Sequence, residues 1–367
     1  YVMKTVAKKD KQKEELANLA NEIAIHEMCD HPGIVRIYES FEDIDHVHIA
    51  MEACDGGELF DFVQGQGGRL NEPDARIVMQ QVLQAVFYLH SVKNVVHMDL
   101  KLENLLLKSP GLAIQDNAVK LIDFGFAKSF TPGERSLTDS CGTPVYMAPE
   151  IIRGPYSEKC DLWSCGVLLH EVISGQVPFD SSSPMKIVQM AWARPVQLGG
   201  DEWAAVSEDA KALVLGMLTR RPDDRLSAEQ ALETPWLRSV VHESHGTASL
   251  SSDSSCKDDI AANLRAFSTL SGFQKAALRV AAYRLDDPHV AEQRSAFKRL
   301  DKNGDGRLTL AELDGGCPEL GLAALEAEEL FRQLDADGSG TIEYSEFLSA
   351  AICKHTLPSH ACWEAFR

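Results

Sequence analysis

The chain has 367 residues, 44% hydrophobic and 25% charged, with a formal net charge of −19. This is ordinary globular composition, and it excludes a collagen-like, coiled-coil or wholly disordered chain. The acidic balance argues against nucleic acid as a partner and for basic partners or bound cations. No run of about 18 apolar residues marks a membrane span. The nine cysteines include no Cys-x-x-Cys pair, which reads as reduced thiols in a cytoplasmic protein. The chain opens on Tyr1, so we expect a piece of a longer protein. Any N-terminal lipidation signal, and with it membrane association, is then not legible.

In chain order, β-like stretches come at 1–6, 34–40 and 47–51, with a helical stretch at 11–28 between the first two. A strong helix follows over 72–90. Asn71 caps it, Pro73 sits in its first turn, and Ala75, Val78, Val82, Val86 and Leu89 share one face. Residues 161–174 are apolar nearly all round and stop at Gly175, as a helix at the centre of a large helical lobe would. Few strands followed by many helices predict an α+β domain over 1–240, a small β-rich lobe on a larger α-rich one. Residues 241–258 are Ser-rich and read as a linker. Residues 259–285 place Ile260, Leu264, Phe267, Leu270, Phe273 and Leu278 at near-helical spacing among Arg265, Lys275, Arg279 and Arg284, which predicts a basic amphipathic helix. The acidic remainder, 286–367, holds fifteen Asp and Glu against six Lys and Arg over 286–350, and this excess points to cation binding.

Within 1–240 the charged residues fall in an order that suits phosphoryl transfer. That chemistry needs a cation on the phosphates, oxygen ligands for magnesium and a carboxylate beside the attacking hydroxyl. Lys4 ends the first strand, and Glu22 on the next helix is placed to pair with it. His97-Met98-Asp99-Leu100-Lys101-Leu102-Glu103-Asn104 offers a base, a second cation and a metal-binding amide. Asp123-Phe124-Gly125 offers a metal carboxylate. Ala148-Pro149-Glu150 follows a loop, with Arg225 downstream as a partner for Glu150.

This succession resembles the eukaryotic protein kinase catalytic domain. The resemblance implies a bilobal fold with a truncated N-lobe, because the chain starts at the lysine strand with no Gly-rich loop before it. It implies ATP and Mg2+, with Asp99 as base, Lys101 beside it, Asn104 and Asp123 as magnesium ligands, and Lys4 on the phosphates held by Glu22. Met51 falls at the gate of the adenine pocket, with Glu52–Cys54 as hinge. Glu58 and Glu103 match positions that meet ribose or basic residues of a protein substrate. Lys101 and Gly142-Thr143-Pro144 are similar to the serine/threonine branch. Met98 departs from the family's usual Arg, and a thioether cannot pair with an activation-loop phosphate. His26, one turn after Glu22, reads as a satisfied, partly buried histidine. His26, Cys29 and His31 show no fourth ligand for a metal.

Two twelve-residue loops, 301–312 and 335–346, match the spacing at which calcium takes its oxygens. In the first, Asp301, Asn303, Asp305 and the bidentate Glu312 are side-chain ligands and Arg307 gives its carbonyl. In the second the ligands are Asp335, Asp337, Ser339, the Thr341 carbonyl, Glu343 and Glu346. Helical patterns precede both loops, and Leu308 and Ile342 occupy equivalent positions for a short ribbon. The loops identify an all-α EF-hand domain over 286–367. The end of the chain, 363–367, reads as a helix leading into another loop.

Kinase motifs, a basic amphipathic segment and tandem EF-hands together resemble the calcium-dependent protein kinases of plants and protists. The stretch Asn263-Leu264-Arg265-Ala266-Phe267 through Ala276-Ala277-Leu278-Arg279 is particularly similar to that family's junction. The resemblance implies a serine/threonine kinase whose junction occludes the catalytic cleft until Ca2+ opens the EF-hands and draws the junction into contact with them. A competing reading is a calcium-sensing pseudokinase scaffold. A third keeps the kinase and makes the EF-hands structural only.

Overall fold

The computed structural model describes residues 1–9, 11–238, 254–283, 290–323 and 326–352. Most of the linker read at 241–258, Arg284 and the helix read at 363–367 lie outside them. The chain falls into two compact units, one mostly residues 1–246 and the other mostly 247–367.

The first unit opens with an antiparallel sheet of order β1-β3-β2, where β1 is Val2–Ala7, β2 Ile37–Glu42 and β3 His46–Met51. β1 runs further than expected. Lys4 pairs with Ile49 in mid-strand and does not end it, because the ladder continues to Ala7 opposite His46. Helix α1 (Lys13–Glu27) starts with a reciprocal cap between Gln12 and Glu15. Its Leu19 and Ile23 pack against Ile37 and Ile49 of the sheet, a small core that fixes the distance between α1 and β1.

The larger lobe begins with α2 (Leu59–Gly65) and α3 (Glu72–Tyr88). Asp74 N–H donates to Asn71 Oδ1 at 2.8 Å, the cap read from sequence. α3 ends earlier than expected, in a widened turn over Leu89–Lys93 closed by Asn94 at φ 52°. Asparagine tolerates this left-handed backbone, so the chain can turn there into β4 and the loop at 97–104. Four short strands follow, β4 (Val95–Val96), β5 (Leu105–Leu107), β6 (Val119–Leu121) and β7 (Lys128–Ser129), pairing as β4–β7 and β5–β6. α4 (Lys159–Ser174) is buried along nearly its whole length and ends at Gly175, φ 77°. α5 (Pro184–Ala193), α6 (Asp201–Ala204), α7 (Glu208–Met217) and α8 (Ala228–Leu232) follow in this lobe. A Cβ on Gly166 of α4 would lie 2.8 Å from Leu218, so glycine lets the end of α7 approach closely.

The second unit contains α9 (Ser254–Ser268), α10 (Gly272–Tyr283), α11 (Ala291–Leu300), β8 (Arg307–Leu308), α12 (Leu310–Gly316), α13 (Ala327–Leu334), β9 (Ile342–Glu343) and α14 (Tyr344–Ala351). The segment read as one amphipathic helix over 259–285 is two helices, and the first starts at Ser254, inside the stretch read as linker. Ser271 starts the second one, its N–H donating to Gln274 Oε1 at 3.0 Å while Gln274 N–H donates back to Ser271 Oγ at 3.4 Å. Ile260, Leu264 and Phe267 of α9 belong to one core with Phe297, Leu330, Phe347 and Leu348. Each such fully buried side chain contributes roughly 1.5–3 kcal/mol, so the basic segment is part of this unit's core. Among the described residues no helix is long and apolar enough to cross a membrane.

Candidate functional site

The loop at 97–104 hangs from Asp161, in the first turn of α4. Its carboxylate is fully buried and accepts from His97 N–H at 2.8 Å, Met98 N–H at 2.9 Å and His90 Nε2–H at 2.9 Å. Burial pushes this carboxyl's pKa up, but the His90 and His97 contacts outweigh it and hold Asp161 below the usual aspartate value. Met98 is thereby held at φ 68°, a left-handed conformation that a long side chain rarely adopts. Sequence reasoning missed Asp161. Its one signal was a carboxylate opening an otherwise apolar helix.

The strained turn delivers Asp99. Lys101 Nζ lies 2.8 Å from Asp99 Oδ2, and Thr143 donates through N–H at 3.0 Å and Oγ1–H at 2.8 Å to Oδ1. Asn104 Nδ2–H donates to Asp99 Oδ2 at 3.0 Å and to its carbonyl at 2.8 Å. Burial raises the pKa of Asp99, and the bonds from Lys101, Thr143 and Asn104 more than reverse this, leaving it below the ordinary value. Asp99 is therefore ionised, oriented and able to accept a proton. With its amide hydrogens committed, Asn104 keeps its amide oxygen for a cation.

Asp123 follows β6 at φ 64°, a second strained residue, with Gly125 N–H donating to its Oδ1 at 3.2 Å. A Cβ on Gly125 would stand 3.1 Å from Asp123 Oδ1 and 3.6 Å from Glu22 Oε2, so the two carboxylates flank one point. Lys4 Nζ pairs with Glu22 Oε1 at 3.1 Å, which brings the lysine to the same place. Asp123 and Asn104 supply hard oxygen ligands, a set that fits magnesium. Between them and α1 lies Phe124, fully buried, stacked on His26 with centroids 4.4 Å apart and edge-on to His97 at 5.1 Å. His26 is the satisfied histidine expected, with Nε2–H donating to Val35 O at 2.5 Å. Burial lowers its pKa from 6.5 to about 4, so it is neutral.

Met51 closes β3 opposite Val2 and Ile37. The next residue, Glu52, turns its side chain into the fold, 2.9 Å from both Lys108 Nζ and Lys120 Nζ. Burial raises its pKa, but the two ammonium groups lower it to about 2. The Glu52 carboxylate is thus committed within the fold, tying the end of β3 to Lys108 and Lys120. The sequence did not flag Lys108 or Lys120. Cys54 is half-buried and Glu58 is exposed at the start of α2. Glu103 Oε2 is buried without a hydrogen-bond partner among the described residues, an acceptor without a donor.

Met98 Sδ lies 3.9 Å from Tyr156 Oη, and Tyr156 O–H donates to Asp139 O at 2.6 Å. Asp139 in turn pairs with Lys128, so a carboxylate and a lysine tie down the segment that Met98 cannot hold by charge. Arg225 meets Glu150 through two parallel bonds of 2.6 and 2.9 Å, the pairing expected from sequence, and is itself 1% exposed.

The two acidic loops are shaped for a cation. In the first, Asp301 accepts from Gly304 N–H at 2.8 Å and Gly306 N–H at 2.9 Å, with Gly306 at φ 78°. Asn303 Oδ1 and Asp305 Oδ1 accept from Asp305 N–H and Arg307 N–H, both at 2.9 Å. Glu312 reaches back to Lys302 N–H at 3.2 Å and Thr309 N–H at 2.9 Å. Burial and then the Asp305 carboxylate raise the pKa of Asp301 to about 7, a crowding that a doubly charged cation relieves. In the second loop Asp335, Asp337 and Glu346 bring one oxygen each within 4.8 Å of the others. Ser339 N–H donates to Asp335 at 2.9 Å, and Ser339 O–H donates to the Thr341 carbonyl at 2.8 Å. Leu308 pairs with Ile342 in the ribbon, as expected, beside Arg307 opposite Glu343. The Glu343 carboxylate is turned to Arg307 Nη2 at 3.0 Å and bridges the ribbon, where the sequence reading made it a ligand. From α10, Arg279 Nη2 comes within 3.4 Å of Glu346 Oε1, and from α9, Arg265 pairs with Glu326 at 2.9 Å.

Comparison with known proteins places these sites in context. The family described as protein kinase domain matches residues 1–237, and the EF-hand domain pair matches residues 292–352. Calcium-dependent protein kinase 3 of Plasmodium berghei is 33% identical over all of this chain, which covers 64% of that protein. Calcium-dependent protein kinase 4 of Plasmodium falciparum is 34% identical, with 98% of this chain and 69% of the relative covered. Calcium-dependent protein kinase 8 of Arabidopsis thaliana is 35% identical, with 96% and 64% covered. The chain thus spans less than two thirds of the length of the first of these relatives.

Proposed function

The chain belongs to the calcium-dependent protein kinase family, and from that premise we propose that it is a calcium-regulated serine/threonine kinase. It transfers the γ-phosphate of ATP to a protein hydroxyl. The observation that carries this reading is the setting of Asp99, ionised and held by Lys101, Thr143 and Asn104. In the reaction Asp99 orients the attacking hydroxyl and accepts its proton as the new oxygen–phosphorus bond forms and the bond from the γ-phosphorus to the bridging oxygen breaks, with ADP as leaving group. Lys101 holds Asp99 and offsets charge on the transferring group. Lys4, steadied by Glu22, positions the α- and β-phosphates. Magnesium, held by Asn104 and Asp123, would neutralise phosphate charge there. Glu103, whose Oε2 has no hydrogen-bond partner among the described residues, suits a basic residue near the target Ser or Thr.

Calcium regulation rests on the two loops. The α9–α10 segment packs in the core of their unit, and this supports a junction whose position follows the EF-hands. Without calcium the junction occludes the catalytic cleft. Calcium binds the arrangement that frees it, and the difference in affinity drives the switch.

The test is transfer of labelled γ-phosphate from Mg·ATP to a serine peptide by the whole protein, with and without calcium. Calcium-stimulated transfer that falls at least ~100-fold in Asp99→Asn, with calcium binding intact, is the expected result. Calcium binding without any transfer by the wild type would favour the scaffold.

A further inference from the structure

The hairpin between β2 and β3 gathers a set of side chains that phosphoryl transfer and the calcium loops do not use. Asp43 opens the turn, accepting from Asp45 N–H and His46 N–H on Oδ1, both at 2.7 Å. His46 and His48 then follow two residues apart on β3, so the strand's period sets both rings on one face. His48 Nε2 stands 3.1 Å from Asp43 Oδ2, and His46 Nδ1 stands 3.6 Å from Asp43 Oδ1. One ligating atom of each of the three lies within 4.8 Å of the others.

We propose that Asp43, His46 and His48 form a zinc site with two imidazole ligands, one carboxylate and an open fourth position. Ligand atoms of a tetrahedral zinc lie about 3.3 Å apart, as zinc–nitrogen bonds of about 2.0 Å require. His48 and His46 approach different oxygens of Asp43, at 3.1 Å and 3.6 Å, and the three donor atoms lie within 4.8 Å of one another, so small side-chain rotations close the set on one ion. Imidazole pairs favour zinc and its neighbours over calcium and magnesium, which take oxygen, so the site is chemically distinct from the loops at 301–312 and 335–346. It also has the support that metal-binding histidines usually have. Thr5 Oγ1 lies 3.1 Å from His48 Nδ1, placed to accept an Nδ1–H once zinc displaces the proton from the Nε2 that now faces Asp43. Phe41 stacks on the His48 ring at 4.9 Å and limits its rotation. Lys8 reaches the same turn, at 2.6 Å from the Asp43 carbonyl, but its charge is met by Glu42 at 2.9 Å. Because Thr5 follows Lys4 on β1, zinc at this turn braces the strand that carries the phosphate lysine.

The experiment is a calorimetric titration of the whole protein with Zn2+ in saturating calcium and magnesium, repeated with Co2+ to read coordination from its visible absorption. The expected result is a zinc equivalent that weakens at least ~100-fold in His46→Gln/His48→Gln and about 10-fold in Thr5→Val. Asp43→Asn keeps the Oδ1 acceptor that forms the turn and loses the charge, so it should bind zinc about 10-fold more weakly with its circular dichroism unchanged. Zinc uptake of the same stoichiometry and affinity in wild type and double variant overturns the site. So does a wild type that takes up no zinc, or whose bound cobalt spectrum is unaltered in the double variant. All the substituted groups are at least partly exposed, and Mg·ATP binding and circular dichroism of each variant check that the first unit is folded.

Discussion

Asp99 and His26 show how far a titratable group's surroundings decide its task. Both are buried. Asp99 is surrounded by donors and stays charged, whereas His26 faces Phe124 and a single carbonyl and stays neutral. The His26 pKa is about 4 in the fold against 6.5 unfolded, so the unfolded chain takes up the proton first. The stability His26 allows is complete above pH 6.5 and is lost as pH falls towards 4, at about 1.4 kcal/mol per pH unit. His97 shifts in the same direction, through burial. Urea unfolding of the whole protein at about pH 7 and about pH 5 should show this loss, and His26→Leu should lose less between the two. Equal losses in both proteins would show that His26 titrates freely in the fold.

At the scale of elements, loops and caps do the positioning. The loop at 97–104 is pinned to α4 by Asp161, and the segment after β7 is pinned by Lys128 and Asp139. Because that segment already has its carboxylate, alanine at Thr131, Ser136, Thr138 and Ser140 together should leave calcium-stimulated activity within about twofold. The Lys128–Asp139 pair is partly exposed and worth no more than about 1 kcal/mol, so Lys128→Met should cost up to about fivefold. A large loss from the alanines, with Lys128→Met silent, would reverse this assignment. In the second unit, Arg279 of α10 lies beside the oxygen by which Glu346 would clamp calcium. Arg279→Ala removes a positive charge from that loop and should tighten its calcium binding several-fold. Calorimetry on the whole protein reads this directly, and weaker binding in the variant would mean that Arg279 holds Glu346 in place for the ion.

At the scale of the whole molecule, the two loops act as one device because β8 and β9 join them. Leu308 and Ile342 are fully buried in that ribbon, so disturbing one loop loosens the other. Glu312→Gln/Glu346→Gln removes both bidentate carboxylates at little change in size. In the whole protein, with any further EF-hands silenced in parallel, it should abolish calcium activation and leave the calcium-free activity low. Kinase activity measured against free calcium decides the point. An unchanged midpoint and amplitude would free these loops of the sensor role, and high activity without calcium would overturn the occluding junction.

Much of this was legible in the chain itself. Phosphoryl-transfer and calcium chemistry each demand given residue types at given separations, so Asp99, Asn104, Asp123 and the loops at 301–312 and 335–346 could be read before any fold was known. The Asn71 cap and the Gly175 stop were local as well. The rest depends on residues that meet only through tertiary packing. Glu52 finds Lys108 and Lys120 from 56 and 68 residues away, and a hinge lock between them has no local signature. Asp161 looks like any first-turn acid until its three donors arrive from elsewhere. Glu343 stood in ligand position in the sequence, yet the ribbon set it opposite Arg307. The basic segment carried an unbroken helical pattern, but capping at Ser271 and burial of α9 against the EF-hand helices made it two helices. Periodicity records which face is apolar, and only packing decides where that face can be covered.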